Sequence, residues 1–135
     1  MNSVVLYKIK TVESALKRIQ DVYADEPNLL KDYTKLDSII MNIQRACEAS
    51  IDLSMHLVRI HKLGLPKSRC DGFQLLEEAQ LIDVSLIASL INIIEFCRTA
   101  IHDDQAIDLN ILRKIIDHQL NDFLTFTQIV VQLDI

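Results

Sequence analysis

One short segment, Phe96–Asp104, holds the residue types best suited to contact a charged substrate. Arg98 lies one helical turn before His102, so the two side chains share a helix face and can approach one anion together. The segment lies where an apolar helix ends and a loop begins. By periodicity alone, a histidine that caps the helix beside a solvated arginine fits the same residues, so both interpretations stay open at this point.

The remaining histidines do not predict a metal site. His56 and His61 lie five residues apart, and His102 and His118 are distant from them in sequence. Zinc sites use ligands at short fixed spacings, such as His-x-x-x-His or Cys-x-x-Cys, and the sequence contains neither pattern. We therefore expect surface or capping histidines, and no bound metal.

Other catalytic patterns are also missing from the sequence. The two glycines, Gly64 and Gly72, do not form a phosphate-binding loop, and no serine lies in a nucleophile elbow. Glu77 and Glu78 are neighbours in sequence, and neighbours diverge around a helix rather than share a site. We interpret this pair as a solvated helix face and predict no cofactor.

Apolar residues that recur at steps of three and four predict four long helices and one short helix around this segment. The first helix is closed by Pro27. The second runs from about Asp32 to Leu63, where Gly64 is expected to form a left-handed cap before Pro66. The presence of only two glycines and two prolines argues against a β-sandwich or barrel with its frequent turns.

The remaining helix starts are predicted from polar residues that cap helices. Asp71 is expected to cap a short third helix that ends near Gln80, Asp83 or Ser85 to begin the fourth helix, and Asp108 to cap the last. Residues 1–135 are therefore predicted to form a single all-α domain, an up-and-down four-helix bundle with one extra short helix.

The fourth helix is apolar around most of its circumference between Val84 and Ile101. A helix that is apolar all round must be buried all round, whereas a bundle of four long helices leaves one face of each helix outside. Either a second copy of the chain or the short third helix covers the surplus face. We favour a homodimer, because long apolar patches are seldom left exposed to water.

The composition limits the environment and the partners. The chain has 14 Lys and Arg against 19 Asp and Glu, and this net charge of −5 argues against a general nucleic-acid surface, so no DNA partner is expected. The most apolar window, Val84–Ile94, is shorter than the roughly 20 residues of a membrane span. Cys47, Cys70 and Cys97 are widely spaced and no secretory signal is present, which predicts reduced thiols in a cytoplasmic protein.

Three stretches follow one another in an informative order on this all-α chain. They are Gln44–Ala49 in the second helix, Leu63–Ser68 followed by Phe73-x-Leu75-Leu76, and Ile101-His102-Asp103 leading into Leu109-x-Ile111-Leu112. With these stretches the chain resembles, over almost its whole length, the HepT-like group of the HEPN superfamily, which pairs with MNT-type minimal nucleotidyltransferases. A plain helical adaptor unrelated to HEPN would leave the stretches a coincidence.

The resemblance implies a four-helix bundle that dimerises near its motif-bearing helices. In active members, an Arg-x4-His-x-Tyr motif from each of two protomers lines a cleft that cleaves RNA without a metal. The partner nucleotidyltransferase acts as the antitoxin and attaches AMP to the motif tyrosine. In such a site the histidine moves a proton to or from the ribose 2′-hydroxyl or the leaving oxygen, and the arginine neutralises charge on the phosphate.

This sequence retains only His102 of the three motif positions. Cys97 stands at the arginine position and Asp104 at the tyrosine position, so a thiol replaces a forked cation and a carboxylate replaces a phenol. Arg98 lies one residue out of register, a rotation of about 100° on a helix. The resemblance therefore implies a toxin of a type VII-like toxin–antitoxin module with a weakened ribonuclease site, where His102 is the acid–base residue and Arg98 a displaced phosphate ligand.

A parallel change precedes Phe73, where Cys70 stands at a position at which relatives tend to carry arginine and Arg69 lies one place earlier. Loss of one preorganised donor at a site of developing charge costs about 10²–10³ in rate. The alternative function is therefore a catalytically inactive HEPN module that binds the partner nucleotidyltransferase or a sister HEPN chain.

Overall fold

Helices make up most of the chain in the computed structural model, which describes residues 2–24, 26–102 and 107–134 without the side chains of residues 27 and 29. The described residues contain no strand. The helices are α1 (Ser3–Tyr23), α2 (Tyr33–Ile60), α3 (Asp71–Glu78), α4 (Val84–His102), α5 (Leu109–Lys114) and α6 (Asn121–Leu133). A 3₁₀ turn over Pro27–Lys31 precedes α2, and a π turn over Ile115–Gln119 joins α5 to α6. The predicted all-α class is confirmed.

Short polar side chains begin three of these helices. Asn2, Asp32 and Asp108 accept hydrogen bonds from backbone N–H groups in the first turns of α1, α2 and α5. The first N–H groups of a helix have no partner within the helix, so each cap satisfies donors that would otherwise be exposed. The predicted start near Asp32 and the predicted cap at Asp108 are both confirmed.

Asp71 does not cap α3, so this prediction was wrong. It lies inside the first turn of α3, and its carboxylate accepts hydrogen bonds from the backbone N–H groups of Lys67 and Ser68, at 2.9 and 3.0 Å. Hydrogen bonds from Ser68 lower the pKa of the Asp71 carboxyl. The side chain therefore orders the loop that precedes α3.

The end of α2 also differs from the prediction. The helix ends at Ile60, three residues before the predicted Leu63, and the first left-handed residue after it is Lys62 at φ 55°, while Gly64 also has a positive φ, of 124°. The N–H of Leu63 donates to the carbonyl oxygen of Val58 at 3.0 Å and closes this turn. The early turn follows from a tertiary contact, because His61 is bonded to the C-terminal end of α6 and the helix stops there.

The last predicted helix is interrupted by the π turn. Apolar residues at steps of mostly three and four predict that the core face of this helix is Leu112, Ile116, Leu120, Phe123 and Val130. In the structure four of these are buried, whereas Ile116 is only half-buried. A π turn adds one residue to a helical turn and so rotates the following face relative to the preceding one. Ile115 takes the core position that regular periodicity assigned to Ile116.

Helix α2 is the centre of the bundle and packs against α1, α3, α4 and α6. The Phe73 ring of α3 and the Phe126 ring of α6 pack with their centroids 5.6 Å apart. This core holds α4 against the middle of α2, with the loop before α3 close to both. The three elements meet where the sequence predicts the functional site.

Helix α4 buries part of its apolar circumference within the chain. Its buried side chains face α2, α3 and α6, and they are Leu86, Ile87, Leu90, Ile93, Ile94, Cys97 and Ala100. Val84 and Ile101 remain 57% and 47% exposed. Both sequence-based interpretations keep support, because α3 does pack on α4 and apolar residues still remain on the surface.

The apolar stretch of α4 is longer than the window Val84–Ile94 suggested. The whole helix, Val84–His102, has the length and composition of a helix that could cross a membrane. In the structure it is a core helix of the bundle, in contact with three other helices.

Candidate functional site

His102 and Arg98 line the same pocket, which has a volume of about 240 Å³. It lies between α2, the C-terminal half of α4 and the loop before α3. Its walls are Gln44, Cys47, Glu48 and Ile51 from α2, Ile94, Cys97, Arg98, Ile101 and His102 from α4, and Arg69 from the loop. The structure thus brings together the two residues that the sequence singled out.

Both of these side chains are accessible to a substrate. His102 is the last residue of α4 and is exposed. The Arg98 Nη1 atom lies 3.4 Å from the Glu95 Oε1 atom one turn earlier, and both side chains are more than half exposed. Exposed ion pairs of this kind contribute little to stability, so the guanidinium can exchange Glu95 for a phosphate at low cost.

Cys97 is buried at the inner wall of the pocket, where it is 3% exposed. Its thiol donates a hydrogen bond to the carbonyl oxygen of Ile40, with Sγ and O 3.8 Å apart. A hydrogen bond from the Cys47 thiol lowers the pKa of Cys97, while the same bond and burial raise the pKa of Cys47. Neither a thiol nor a thiolate is a cation, so position 97 supplies no positive charge to a phosphate.

Asp104, the other substituted motif position, lies outside the described residues, as does Asp103. The interpretation of Asp104 therefore stays a prediction from the sequence.

Arg69 is the pocket residue whose position the sequence did not reveal. Its Nη1 donates to the Glu48 Oε2 atom at 2.6 Å, and its Nη2 donates to the Asp52 Oδ1 atom at 2.8 Å. The hydrogen bond to Glu48 raises the pKa of Arg69. Glu48 and Asp52 are four residues apart on α2, and the repulsion between like charges at this spacing, which a basic partner relieves, is the signal available in the sequence.

His56 and His61 have a structural role at the other end of α2. The His56 Nε2 atom lies 2.8 Å from the Asp134 Oδ1 atom, and the His61 Nε2 atom lies 2.7 Å from the carbonyl oxygen of Leu133. The hydrogen bond from His56 lowers the pKa of Asp134. The predicted capping role suits His61, which binds a terminal carbonyl of α6, but both side chains are half-buried rather than on the open surface.

The described residues contain no group of three His, Cys, Asp or Glu side chains arranged to hold a metal ion. The side chains that border the pocket include the imidazole of His102 and the guanidinium groups of Arg98 and Arg69.

Comparison with solved structures supports the HEPN fold. A crystal structure of a toxin–antitoxin with AMP-PNP has a TM-score of 0.92 and 38% identity, over 96% of this chain and 99% of the other. A tri-AMPylated Shewanella oneidensis HEPN toxin in complex with MNT antitoxin also gives a TM-score of 0.92 and 38% identity, over 98% of this chain and 99% of the other.

Comparison of sequences leads to the same family. The chain is 38% identical over 130 residues to the mRNA nuclease HepT of Shewanella oneidensis, a match that covers 96% of this chain and 98% of the relative. Residues 12–130 match the sequence profile of the family described as ribonuclease HepT-like. The resemblance stated from the sequence is confirmed, and the chain belongs to the HepT-like ribonuclease family.

Proposed function

We propose that this protein is the HepT-like HEPN toxin of a type VII-like toxin–antitoxin module, and that it acts on RNA in the cytoplasm with His102 as its acid–base residue. The observation that carries this function is the pocket that exposes His102 beside Arg98, in a chain 38% identical to an mRNA nuclease HepT. The proposed reaction needs no metal ion or cofactor.

The imidazole of His102 removes a proton from the ribose 2′-hydroxyl or gives one to the leaving oxygen. Arg98, one turn earlier on the same face, neutralises the charge that develops on the phosphate. Because Cys97 occupies the arginine position of the motif, that position supplies no cation. This loss lowers the rate of RNA cleavage by about 10²–10³ relative to a complete motif. The toxin is therefore a weak ribonuclease.

The proposed protein partner is an MNT-type nucleotidyltransferase antitoxin. Support comes from the structural neighbours, since the Shewanella oneidensis HEPN toxin is in complex with MNT antitoxin. That toxin is described as AMPylated, and Asp104 of this chain has no phenol to accept AMP. AMP transfer to this chain therefore requires an acceptor at another position.

The proposed assembly is a homodimer through α4 that brings two His102 rings to one cleft. Ile101, next to His102 in sequence, is an apolar residue that the monomer leaves 47% exposed. Burying such side chains between two copies is the arrangement expected for exposed apolar surface on a helix. Sedimentation of the purified chain measures this assembly, and a monomer at working concentrations would refute it.

Cleavage of labelled RNA by the purified chain tests the catalytic role. We expect His102→Ala to lower the rate by about 10²–10⁴, the usual contribution of a positioned acid–base residue. His118→Ala is the matched control, because His118 is exposed in the π turn and does not line the pocket. Cleavage that persists unchanged in His102→Ala would remove His102 from the mechanism.

The burial of Cys97 favours a second candidate function, a catalytically inactive module that only binds the nucleotidyltransferase or a sister HEPN chain. It predicts a stable complex recovered from cells without RNA cleavage and without growth arrest on expression. Cleavage that depends on His102 would exclude it.

A further inference from the structure

We propose that Arg69 is a phosphate-binding residue of the His102 pocket and supplies the positive charge that Cys97 does not. This inference rests on the proposed action on RNA. It concerns a residue outside the Arg-x4-His-x-Tyr segment, contributed by the loop before α3 and brought to the pocket by tertiary packing.

The first support is the position and shape of the guanidinium. Arg69 lines the same pocket as His102 and Arg98, so all three side chains border the space that a phosphate group would enter. Arginine has five N–H donors, and the contacts to Glu48 and Asp52 use one on each of two nitrogens. These contacts leave three N–H donors, that of Nε among them, for phosphate oxygens.

The second support is the exposure of its ion pairs. The Arg69 side chain is 57% exposed, and Glu48 and Asp52 are 46% and 36% exposed. Ion pairs at such exposure are screened by solvent, so the guanidinium remains open to a competing anion. The two carboxylates orient the guanidinium at the pocket wall, and a phosphate can displace one of them at low cost.

The third support is the balance of charge, because the two carboxylates differ in how many cations pair with them. Asp52 also binds the Lys8 Nζ atom, at 2.7 Å through its Oδ2 atom, so a second cation compensates its charge. Glu48 lines the pocket and has Arg69 as its ion-pair partner in the described part of the chain. Glu48 is therefore the carboxylate that opposes an incoming phosphate, and Arg69 and Glu48 should affect RNA affinity in opposite directions.

The experiment is fluorescence anisotropy of a labelled single-stranded 2′-O-methyl RNA, which lacks the hydroxyl needed for cleavage, with the full chain at several salt concentrations. We expect Arg69→Gln to weaken binding about tenfold or more, the effect of losing a hydrogen bond to a charged group. It should also reduce the slope of log affinity against log salt by about 0.7, the value for one contact to a single strand. Glu48→Gln should strengthen binding about two- to fivefold.

Arg18→Gln is the matched control, because Arg18 is an exposed arginine of α1 outside this pocket. If Arg69→Gln changes affinity and salt slope no more than Arg18→Gln, Arg69 is not a phosphate ligand. If Glu48→Gln weakens binding as Arg69→Gln does, the pair only tethers the loop to α2. Arg69→Lys keeps the charge without the fork, so it should weaken binding while it retains the wild-type salt slope. Wild-type affinity in this variant would refute the role of Arg69 should Arg69→Gln fail to fold.

The possible outcomes distinguish a failure of this inference from a failure of the proposed function. If the wild-type chain binds no RNA, both the proposed function and the role of Arg69 are refuted. If RNA is cleaved in a manner that depends on His102 while Arg69→Gln behaves like the Arg18 control, only the role of Arg69 is refuted.

Discussion

Histidines at two ends of the molecule show how the same side chain acquires different roles. At the C-terminal end of α2, His56 and His61 bind the C-terminal end of α6. At the C-terminal end of α4, His102 is exposed in a pocket shared with Arg98 and Arg69. The helix position is similar in the two regions, so the element that faces each ring decides whether the ring is held against α6 or left open to the pocket.

The difference also appears in burial. The His56 and Asp134 side chains are 13% and 9% exposed, so the bond between them is shielded from water. The ring of His102 is open to solvent. A shielded hydrogen bond stabilises the folded state, whereas an exposed imidazole contributes little to stability and is free to transfer protons.

The largest expected effect comes from completing the motif around His102. In the double variant Cys97→Arg with Asp104→Tyr, we expect RNA cleavage to rise by about 10²–10³, because a preorganised cation then faces the phosphate. Growth arrest on expression and AMP acceptance from the nucleotidyltransferase should appear together with it.

Thr99→Arg is the control for this double variant, since Thr99 is exposed on α4 and does not line the pocket. It adds the same charge to α4 away from His102 and should leave cleavage unchanged. If the double variant gains neither cleavage nor AMP acceptance, the pocket does not form a HepT-like active site.

A smaller effect is expected on the free energy of unfolding, which should respond differently to substitution of His56 and of His102. His56→Ala should lower the free energy of unfolding by about 1–3 kcal/mol, because the Asp134 carboxylate is left shielded without its partner. His102→Ala should change it by less than about 0.5 kcal/mol, as is usual for an exposed position. Urea denaturation measures both, and equal losses in the two variants would contradict the division of roles.

The smallest effect is the pH dependence of the anchored end. Because His56 lowers the pKa of Asp134 in the folded state, the pair stabilises the fold above the ordinary pKa of aspartate. This stabilisation is lost as the pH falls through the lowered folded-state pKa. Thermal unfolding from neutral to acidic pH should therefore show a shallower loss for Asp134→Asn than for wild type.

Asp21→Asn, at an exposed aspartate of α1, is the control for this titration and should follow the wild-type curve. A loss of stability in Asp134→Asn as steep as in wild type would show that the His56–Asp134 pair does not contribute.

The helices were predictable from the sequence because their signals are local. The apolar periodicity of α1 and α2 and the caps at Asp32 and Asp108 involve residues within a few positions of one another. One error lies where a distant contact intervenes, since α2 stops early where His61 meets α6. The other two are local, because Asp71 accepts bonds from the loop before α3 and the π turn places Ile115 in the core instead of Ile116.

The candidate site was predictable in part for the same reason. His102 and Arg98 are four residues apart on one helix, and spacing alone places them together. Arg69 is distant in sequence from both, and only the packing of the loop against α2 brings it to the pocket.

The amino-acid sequence by itself determined the all-α class, the helix starts at Asp32 and Asp108 and the placement of Arg98 one turn before His102, because these depend on residue type and short spacing. The tertiary structure decided that the Cys97 thiol is buried against Ile40 and that Arg69, which is distant in sequence from His102, lines the same pocket. It also decided that two other histidines bind the C-terminal end of α6. These features join residues far apart in the chain, and their contacts exist only once the helices have packed.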